Sequence, residues 1–451
     1  MTQAPVAEYM AGLLDISQGP MEILDAGAGI GSLSIALMER VPVSGLGSSI
    51  TAVEMDRRLF VELQRNLCSF ENISATCENV DFAEFAVNKI QFNDARFTHA
   101  IINPPYKKIK TNSHYRRLGQ SVGIETVNLY SLFSALCVLL LKQGGQLVAI
   151  IPRSFCNGPY YKPFRELILR ECSIEHLHLF GSRKSVFSDD AVLQENIIIK
   201  LKRGAKQGRV IVSHSTNQTF NDVQSKEYDF DSIVDLNHDQ LFFHVPNDDE
   251  SKPSFSKCGT LQDLDFKVST GPIVDFRAKD DLCDRPCDDA VPLLYPMHFA
   301  SGAFIWPVLG GKKPNAIRLT EQTRRSVYQS GWYVVVRRFS SKEEPRRIIP
   351  RIVNPDDLEG YEFFAFENHF NVFHDNKKGL DSRLAHGLTA YLSSKIADRH
   401  FREFNGHTQV NATDLRNMPY PKKSDLIALG ERVSEAAPCS TEIETMIEKI
   451  I

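Results

Sequence analysis

Ala100-Ile101-Ile102-Asn103-Pro104-Pro105-Tyr106 is a short apolar run stopped by two consecutive prolines. Each proline lacks an N–H and fixes φ, so a buried strand cannot pass through the pair and the chain must turn. The stretch therefore sets an amide, two rigid carbonyls and an aromatic ring at the carboxyl end of a strand. Open α/β sheets bind their ligands at that edge. These groups suit one planar amino group held by hydrogen bonds beneath a stacking ring.

Working outward, residues 21–25 read as a strand, followed by Gly27-Ala28-Gly29-Ile30-Gly31 and a helix-like run over 32–40. Glycines let the backbone turn tightly and approach a ligand with no Cβ between. Nicotinamide and flavin enzymes use a related turn, so the glycines alone do not choose a cofactor. The next strand, 49–53, runs into Glu54, an acidic residue about 20 positions past the glycines and so placed for a ribose diol. A third strand-like run, 75–80, is followed by Asp81-Phe82, a carboxylate and a ring suited to the amino edge and face of an adenine.

In this order the four segments resemble the methyltransferases that use S-adenosyl-L-methionine to modify an exocyclic amino nitrogen. The resemblance implies an α/β, Rossmann-like sheet. It also implies that Asp25, Gly27, Gly29 and Gly31 cradle the methionine portion of the cofactor, with Glu54 at the ribose, Asp81 and Phe82 at the adenine, and Ala26 and Met55 also in contact with the cofactor. Asn103, Pro104, Pro105 and Tyr106 then hold the target amine, with Asn103 also touching the cofactor and only the ring of Tyr106 given a task.

Composition sets limits. A chain of 451 residues is too long for one ordinary core and predicts two or three domains. The 42% hydrophobic and 24% charged content is that of a soluble globular protein. The longest apolar stretch, 132–141, is too short to span a bilayer, and no secretory signal opens the chain. Nine scattered cysteines predict reduced thiols in the cytoplasm, and the close pair Cys283 and Cys287 is not expected to hold a metal.

Net charge is −4, so charge must be read locally. Residues 312–351 hold eleven Lys or Arg against three acidic residues, an electrostatic footprint for phosphate. Lys107, Lys108, Lys110, Arg116 and Arg117 add positive charge just after the Pro-Pro turn. Onward, 126–141 reads as a helix ended by Gly144-Gly145, 146–151 as a buried strand, 161–170 as a helix, and 174–180 and 193–201 as strands. The polar loop between these last two strands carries Phe187, a ring available to the free face of a displaced base. Beyond residue 205 the alternation decays; 247–257 reads as a boundary, 331–338 as a strand, 384–400 as one helix and 423–451 as one or two amphipathic helices.

Three strings in this half, VSTGPIVDFR (268–277), ENHFN (367–371) and GHTQVNATDLR (406–416), resemble the target-recognition region of PstI- and BsuBI-type modification enzymes, the gamma class of adenine-N6 DNA methyltransferases. The resemblance covers nearly the whole chain. It implies a catalytic domain over 1–245, an α+β target-recognition domain over 246–425 and a helical segment over 426–451. It further implies double-stranded DNA as substrate, met by Lys107, Lys108, Arg337, Arg338, Lys342, Arg346, Arg347, His407, Thr408 and Gln409. A restriction endonuclease, where one exists, is expected as a separate chain, because no convincing Pro-Asp followed by Asp/Glu-x-Lys is found.

Other classes share parts of the pattern: a silent DNA-binding or specificity subunit, and methyltransferases of RNA adenine or of a protein glutamine amide. Intact Asp25, Glu54 and Asn103 weigh against the first, and the long second half against the others. Cytosine-N4 enzymes usually carry Ser at the place of Asn103. In the family an aromatic followed by Thr-Pro precedes the first helix. Here Met1-Thr2-Gln3 stand there, with Gln3 in the place of the proline, so a natural start further upstream and a weaker hold on the cofactor are expected.

Overall fold

The computed structural model describes the chain except residues 1, 17–19, 42–46, 71–72, 95–96, 182–194, 237–238, 247–254, 256, 301, 341–343, 406–407 and 437. Phe187, Lys342 and His407 therefore lie outside the described residues. The chain divides into two units, Met1–Asn247 and Asp248–Ile451.

The first unit runs α1 (Ala4–Gly12), β1 (Glu22–Ala26), α2 (Ser32–Met38), β2 (Ser49–Val53), α3 (Arg57–Leu67), β3 (Ser74–Glu78), α4 (Phe82–Gln91), β4 (Phe97–Ile102), α5 (His114–Ser121), α6 (Leu129–Leu140), β5 (Leu141–Pro152), α7 (Lys162–Glu171), β6 (Cys172–Phe180), β7 (Asn196–Arg203), β8 (Val210–Ser215) and β9 (Gln224–Tyr228). The strands form one sheet in the order β3-β2-β1-β4-β5-β7-β6-β8-β9. Strand β1 pairs in parallel with β2 on one side and β4 on the other. The winding reverses there, which opens a crevice at the carboxyl ends of these two strands. Nearly every side chain of β1, β2 and β4 is buried, as strands covered on both faces require.

Helix starts follow local chemistry. Asp56 opens α3 by accepting from the N–H groups of Arg58 and Leu59, at 2.8 and 3.3 Å, and Asp81 opens α4 by accepting from Ala83 and Glu84. Helix α1 buries Val6, Ala7, Met10 and Ala11, and the Tyr9 hydroxyl lies 3.0 Å from both His178 Nδ1 and Ser213 Oγ on the sheet.

One expectation is corrected here. Gly144-Gly145 do not end a helix; they lie inside β5, where the pairing with β4 shifts register between Phe97 and His99 and Gly144 takes φ +79°. Past residue 205 the alternation decays as expected, with β8 and β9 extending the same sheet and no α-helix between them among the described residues. The sequence Gln-Ser-Lys-Glu-Tyr of the edge strand β9 is polar and gives no apolar signal.

The second unit contains β10 (Lys267–Thr270), β11 (Leu282–Cys283), β12 (Ala290–Leu294), β13 (Ala316–Arg318), β14 (Tyr328–Gln329), β15 (Tyr333–Arg337), β16 (Pro350–Val353), β17 (Phe363–Phe366), β18 (Phe370–His374), α8 (Ser382–Leu392), α9 (Lys395–Phe404), α10 (Ala412–Arg416), α11 (Lys423–Ala436) and α12 (Ser440–Ile450). Its strands form a four-stranded sheet, β10-β18-β15-β16, and a five-stranded one, β11-β13-β12-β17-β14. The single helix expected over 384–400 is two, because the Ser394 hydroxyl accepts from Ala397 N–H at 3.1 Å and starts a new one. Helix α11 crosses α8 backbone to backbone: a Cβ on Gly430 would stand 1.7 Å from the Arg383 carbonyl oxygen, and one on Gly387 1.8 Å from that of Leu426.

Candidate active site

A cavity of about 330 Å³ opens in the first unit and is lined by residues from the glycine turn after β1, the ends of β2 and β4, the start of α4, and Thr2 and Phe133. That volume lies in the range of small-ligand sites. Gly27, Gly29, Glu54, Met55, Phe82, Asn103 and Pro105 line it directly.

The glycines divide by task. Gly29, at φ +60°, has no protein atom within 4 Å of where a Cβ would be, so its bare backbone faces ligand space. Gly31, at φ +91°, would put a Cβ 2.9 Å from Leu63 Cδ1. It serves the close packing of α2 on α3 and does not line the cavity, which corrects its expected place as a cofactor contact.

The three acidic residues also differ. Glu54 Oε2 accepts from Gly29 N–H and its Oε1 from Asp56 N–H, each at 2.8 Å, so it braces the turn while lining the cavity. Asp25 is fully buried at the end of β1, beneath the turn; its Oδ2 accepts from Ser34 Oγ at 2.6 Å and its Oδ1 has no partner among the described residues. Burial pushes this carboxyl up to about 7; the Ser34 hydroxyl and N–H pull it down and the neighbouring Glu54 charge raises it. Asp81 turns away from the cavity: Oδ1 caps α4 and Oδ2 accepts from Tyr115 Oη of α5 at 2.6 Å. Burial first, then that carboxylate, pushes the Tyr115 hydroxyl up to about 12.

At the Pro-Pro turn, Pro104 is buried and Pro105 exposed. Asn103 Nδ2 donates to Thr2 Oγ1 at 3.0 Å, and Tyr106 Oη donates to Asn103 Oδ1 at 3.2 Å, with the Ile150 carbonyl also 3.2 Å from that hydroxyl. The hydroxyl of Tyr106 thus has partners that a reading of the ring alone omits. Phe82 is 3% exposed and its ring lies 4.9 Å from that of Phe133. Ala26 is buried in β1, off the cavity, and Met55 stands 63% exposed on its rim. Phe133 and Tyr115 escaped sequence reading, and the sequence places Thr2 only in a segment near the cofactor, with no bond to Asn103 foreseen; Phe133 sits in a helix so uniformly apolar that no position is distinguished.

Of the residues expected to meet phosphate, Lys107 and Lys108 are exposed. Arg116 pairs with Glu125 at 2.5 Å. In the second unit Arg337 pairs with Glu344, and Arg346 Nε donates to the Ser393 carbonyl at 3.3 Å. Arg347 is 1% exposed; its Nε donates to Ser340 Oγ at 3.1 Å and its Nη2 to Asn405 Oδ1 at 2.9 Å. Burial removes Arg347 from any phosphate, and its expected role is withdrawn. Arg338 donates to the Asn368 carbonyl at 3.0 Å and reaches Gln409 Oε1 at 3.5 Å, beside the half-buried Thr408. Next to them Phe339 is 43% exposed, its ring 5.2 Å from His369, whose Nδ1 is fixed 2.6 Å from the buried Glu367 carboxylate. All nine cysteines are free, and Sγ of Cys283 and Cys287 are 3.5 Å apart. Among the described residues no helix is long and apolar enough to cross a membrane.

Residues 47–187 match the family described as Eco57I restriction-modification methylase. Over its whole length the chain is 43% identical to the type II methyltransferase M.BsuBI of Bacillus subtilis, covering 93% of that protein. It is 40% identical to M.PstI of Providencia stuartii, again over the whole chain and 92% of the relative. The type IIL restriction-modification enzyme MmeI, solved with DNA, is similar in fold at a TM-score of 0.58 and 11% identity, over 99% of this chain and 70% of that one.

Proposed function

The chain belongs to the type II methyltransferases of restriction-modification systems, and from that premise we propose that it transfers a methyl group from S-adenosyl-L-methionine to the N6 amine of an adenine in double-stranded DNA. The observation that carries this reading is Asn103, an amide on the wall of a nucleoside-sized cavity at the point where the sheet's winding reverses.

The cavity suits the cofactor. Gly27 and Gly29 offer bare backbone for its methionine part, Glu54 has lone pairs left for a ribose diol, and the Phe82 ring gives an adenine an apolar wall. Asp81, whose oxygens cap α4 and hold Tyr115, sets the Phe82 ring beside the adenine rather than meeting its amine. Asp25, which stands behind the glycines, supports them through Ser34. When bound, S-adenosyl-L-methionine supplies an electrophilic methyl on a sulfonium.

The residues of the chain supply position. The adenine amine is a poor nucleophile because its lone pair is delocalised into the ring. Asn103 Oδ1 and the Pro104 carbonyl accept its two hydrogens and draw the nitrogen toward tetrahedral geometry, so that the lone pair faces the methyl. Holding reactants in this way is a large part of the catalysis. A base inside a duplex cannot enter such a pocket and is flipped out at a cost of a few kcal/mol. Stacking on Tyr106 and on Phe187 returns ~1–3 kcal/mol for each ring.

For the duplex, Lys107 and Lys108 beside the pocket contact phosphates, joined by Lys342 and His407 from the second unit. In that unit the patch of Arg338, Phe339, Thr408 and Gln409 presents side chains to base edges, and Arg337 and Arg346 keep positive charge at the surface. The restriction endonuclease of such a system is proposed to be a separate protein.

Base-resolution sequencing of DNA from a methylation-free host expressing the chain tests the whole reading. N6-methyladenine in one recurring sequence motif is expected; methylcytosine, or modified RNA with unmodified DNA, would refute it.

A further inference from the structure

The terminal torsion of an asparagine side chain is broad and soft, so nothing in Asn103 itself sets the plane of its amide. That plane matters, because Oδ1 must be aimed at a hydrogen of the target amine. Two hydroxyls grip the amide from opposite ends: Thr2 Oγ1 takes the Nδ2 end at 3.0 Å and Tyr106 Oη the Oδ1 end at 3.2 Å. Two grips fix a plane, and one leaves a hinge. We propose that Thr2 is a positioning residue for methyl transfer, its hydroxyl holding the Asn103 amide in the plane that presents Oδ1 to the amine.

Thr2 is placed for this task by the fold. The Gln3 carbonyl accepts from Ala7 N–H at 3.0 Å and begins α1, whose buried face and Tyr9 hydroxyl fasten it to the sheet. Thr2 also lines the cavity, so a contact to the cofactor alone is the competing role. The oxygen of Asn103 keeps a second lone pair for the target after accepting from Tyr106.

The inference rests on the role given to Asn103 above, and the experiment separates the two. The full chain and its Thr2→Val, Thr2→Ser and Asn103→Ala variants are compared for cofactor dissociation constant and for kcat, using methyl-tritiated S-adenosyl-L-methionine and DNA from a methylation-free host. Thr2→Val keeps the shape and loses the hydroxyl. It is expected to lower kcat by about 10- to 100-fold, with cofactor affinity within about threefold of the parent, and Thr2→Ser is expected to restore turnover. Full turnover in Thr2→Val, or weaker cofactor binding with kcat unchanged at saturation, would overturn the proposal. Turnover retained in Asn103→Ala would instead overturn the reading of Asn103 beneath it.

Discussion

In the first unit Asn103, Glu54 and Phe82, all singled out for function, gather on one cavity, whereas in the second the arginines singled out for DNA are drawn into the protein's own contacts. Asn103, Glu54 and Phe82 come from three segments well apart in sequence and meet because β4, β1, β2 and β3 end side by side. Arg337, Arg338, Arg346 and Arg347 stand close together in sequence, yet each finds a different internal partner: Glu344, Asn368, Ser393, and the pair Ser340 and Asn405. Residue type at the end of a strand carries geometry with it. Charge density along a chain does not, because a guanidinium is as useful for satisfying buried carbonyls as for meeting phosphate.

The sharpest way to break this contrast is in the cavity. Asn103→Ala is expected to lower turnover by at least about 10³-fold while leaving cofactor affinity nearly unchanged, as read by single-turnover kinetics and calorimetry. In the second unit the expected loss is of stability. Arg347→Ala should lower the free energy of unfolding by about 2–4 kcal/mol, because it empties a packed site and strands two polar partners. Arg346→Ala should stay within about 0.5 kcal/mol of the parent in the same urea titration. Equal losses in the two variants would mean that burial does not separate them.

Asp25 gives a comparable, pH-dependent effect. Its folded-state pKa, raised to about 7, exceeds the ordinary carboxyl value, so the folded chain keeps a proton that the unfolded chain releases. Stability from this group is complete below about pH 4 and is lost as pH rises to about 7, roughly 2–4 kcal/mol in all. Asp25→Asn should flatten that slope, seen as unfolding midpoints at pH 5 and pH 8 that differ less than those of the parent. The smallest effect is expected at the pocket's rim, where Lys107→Ala or Lys108→Ala should weaken DNA binding a few-fold and reduce the slope of log K against log salt by about 1. An unchanged slope would place these lysines off the duplex.

Much of the fold was legible because the parallel strands are short, apolar and bounded by turn residues. Strand β2 falls on residues 49–53, and β1 within a residue of 21–25. The limits came where side chains do not advertise structure: the glycine pair inside β5, the polar edge strand β9, and the serine that divides α8 from α9. At the site, Asn103, Gly29, Glu54 and Phe82 could be read from type and spacing. Tyr115 could not, nor could the link of Thr2 to Asn103, since each matters through a hydrogen bond to a residue remote in sequence, Thr2 to Asn103 and Tyr115 to Asp81.

Glu54 carries one more consequence. Its two oxygens hold the amides of Gly29 and Asp56, so the turn that would receive a ligand is tied to the end of β2 by its own side-chain contacts. An amide held in this way is expected to exchange slowly with deuterium. The same carboxylate therefore has two duties, and its loss is expected to loosen the Gly29 turn as well as the hold on a ribose.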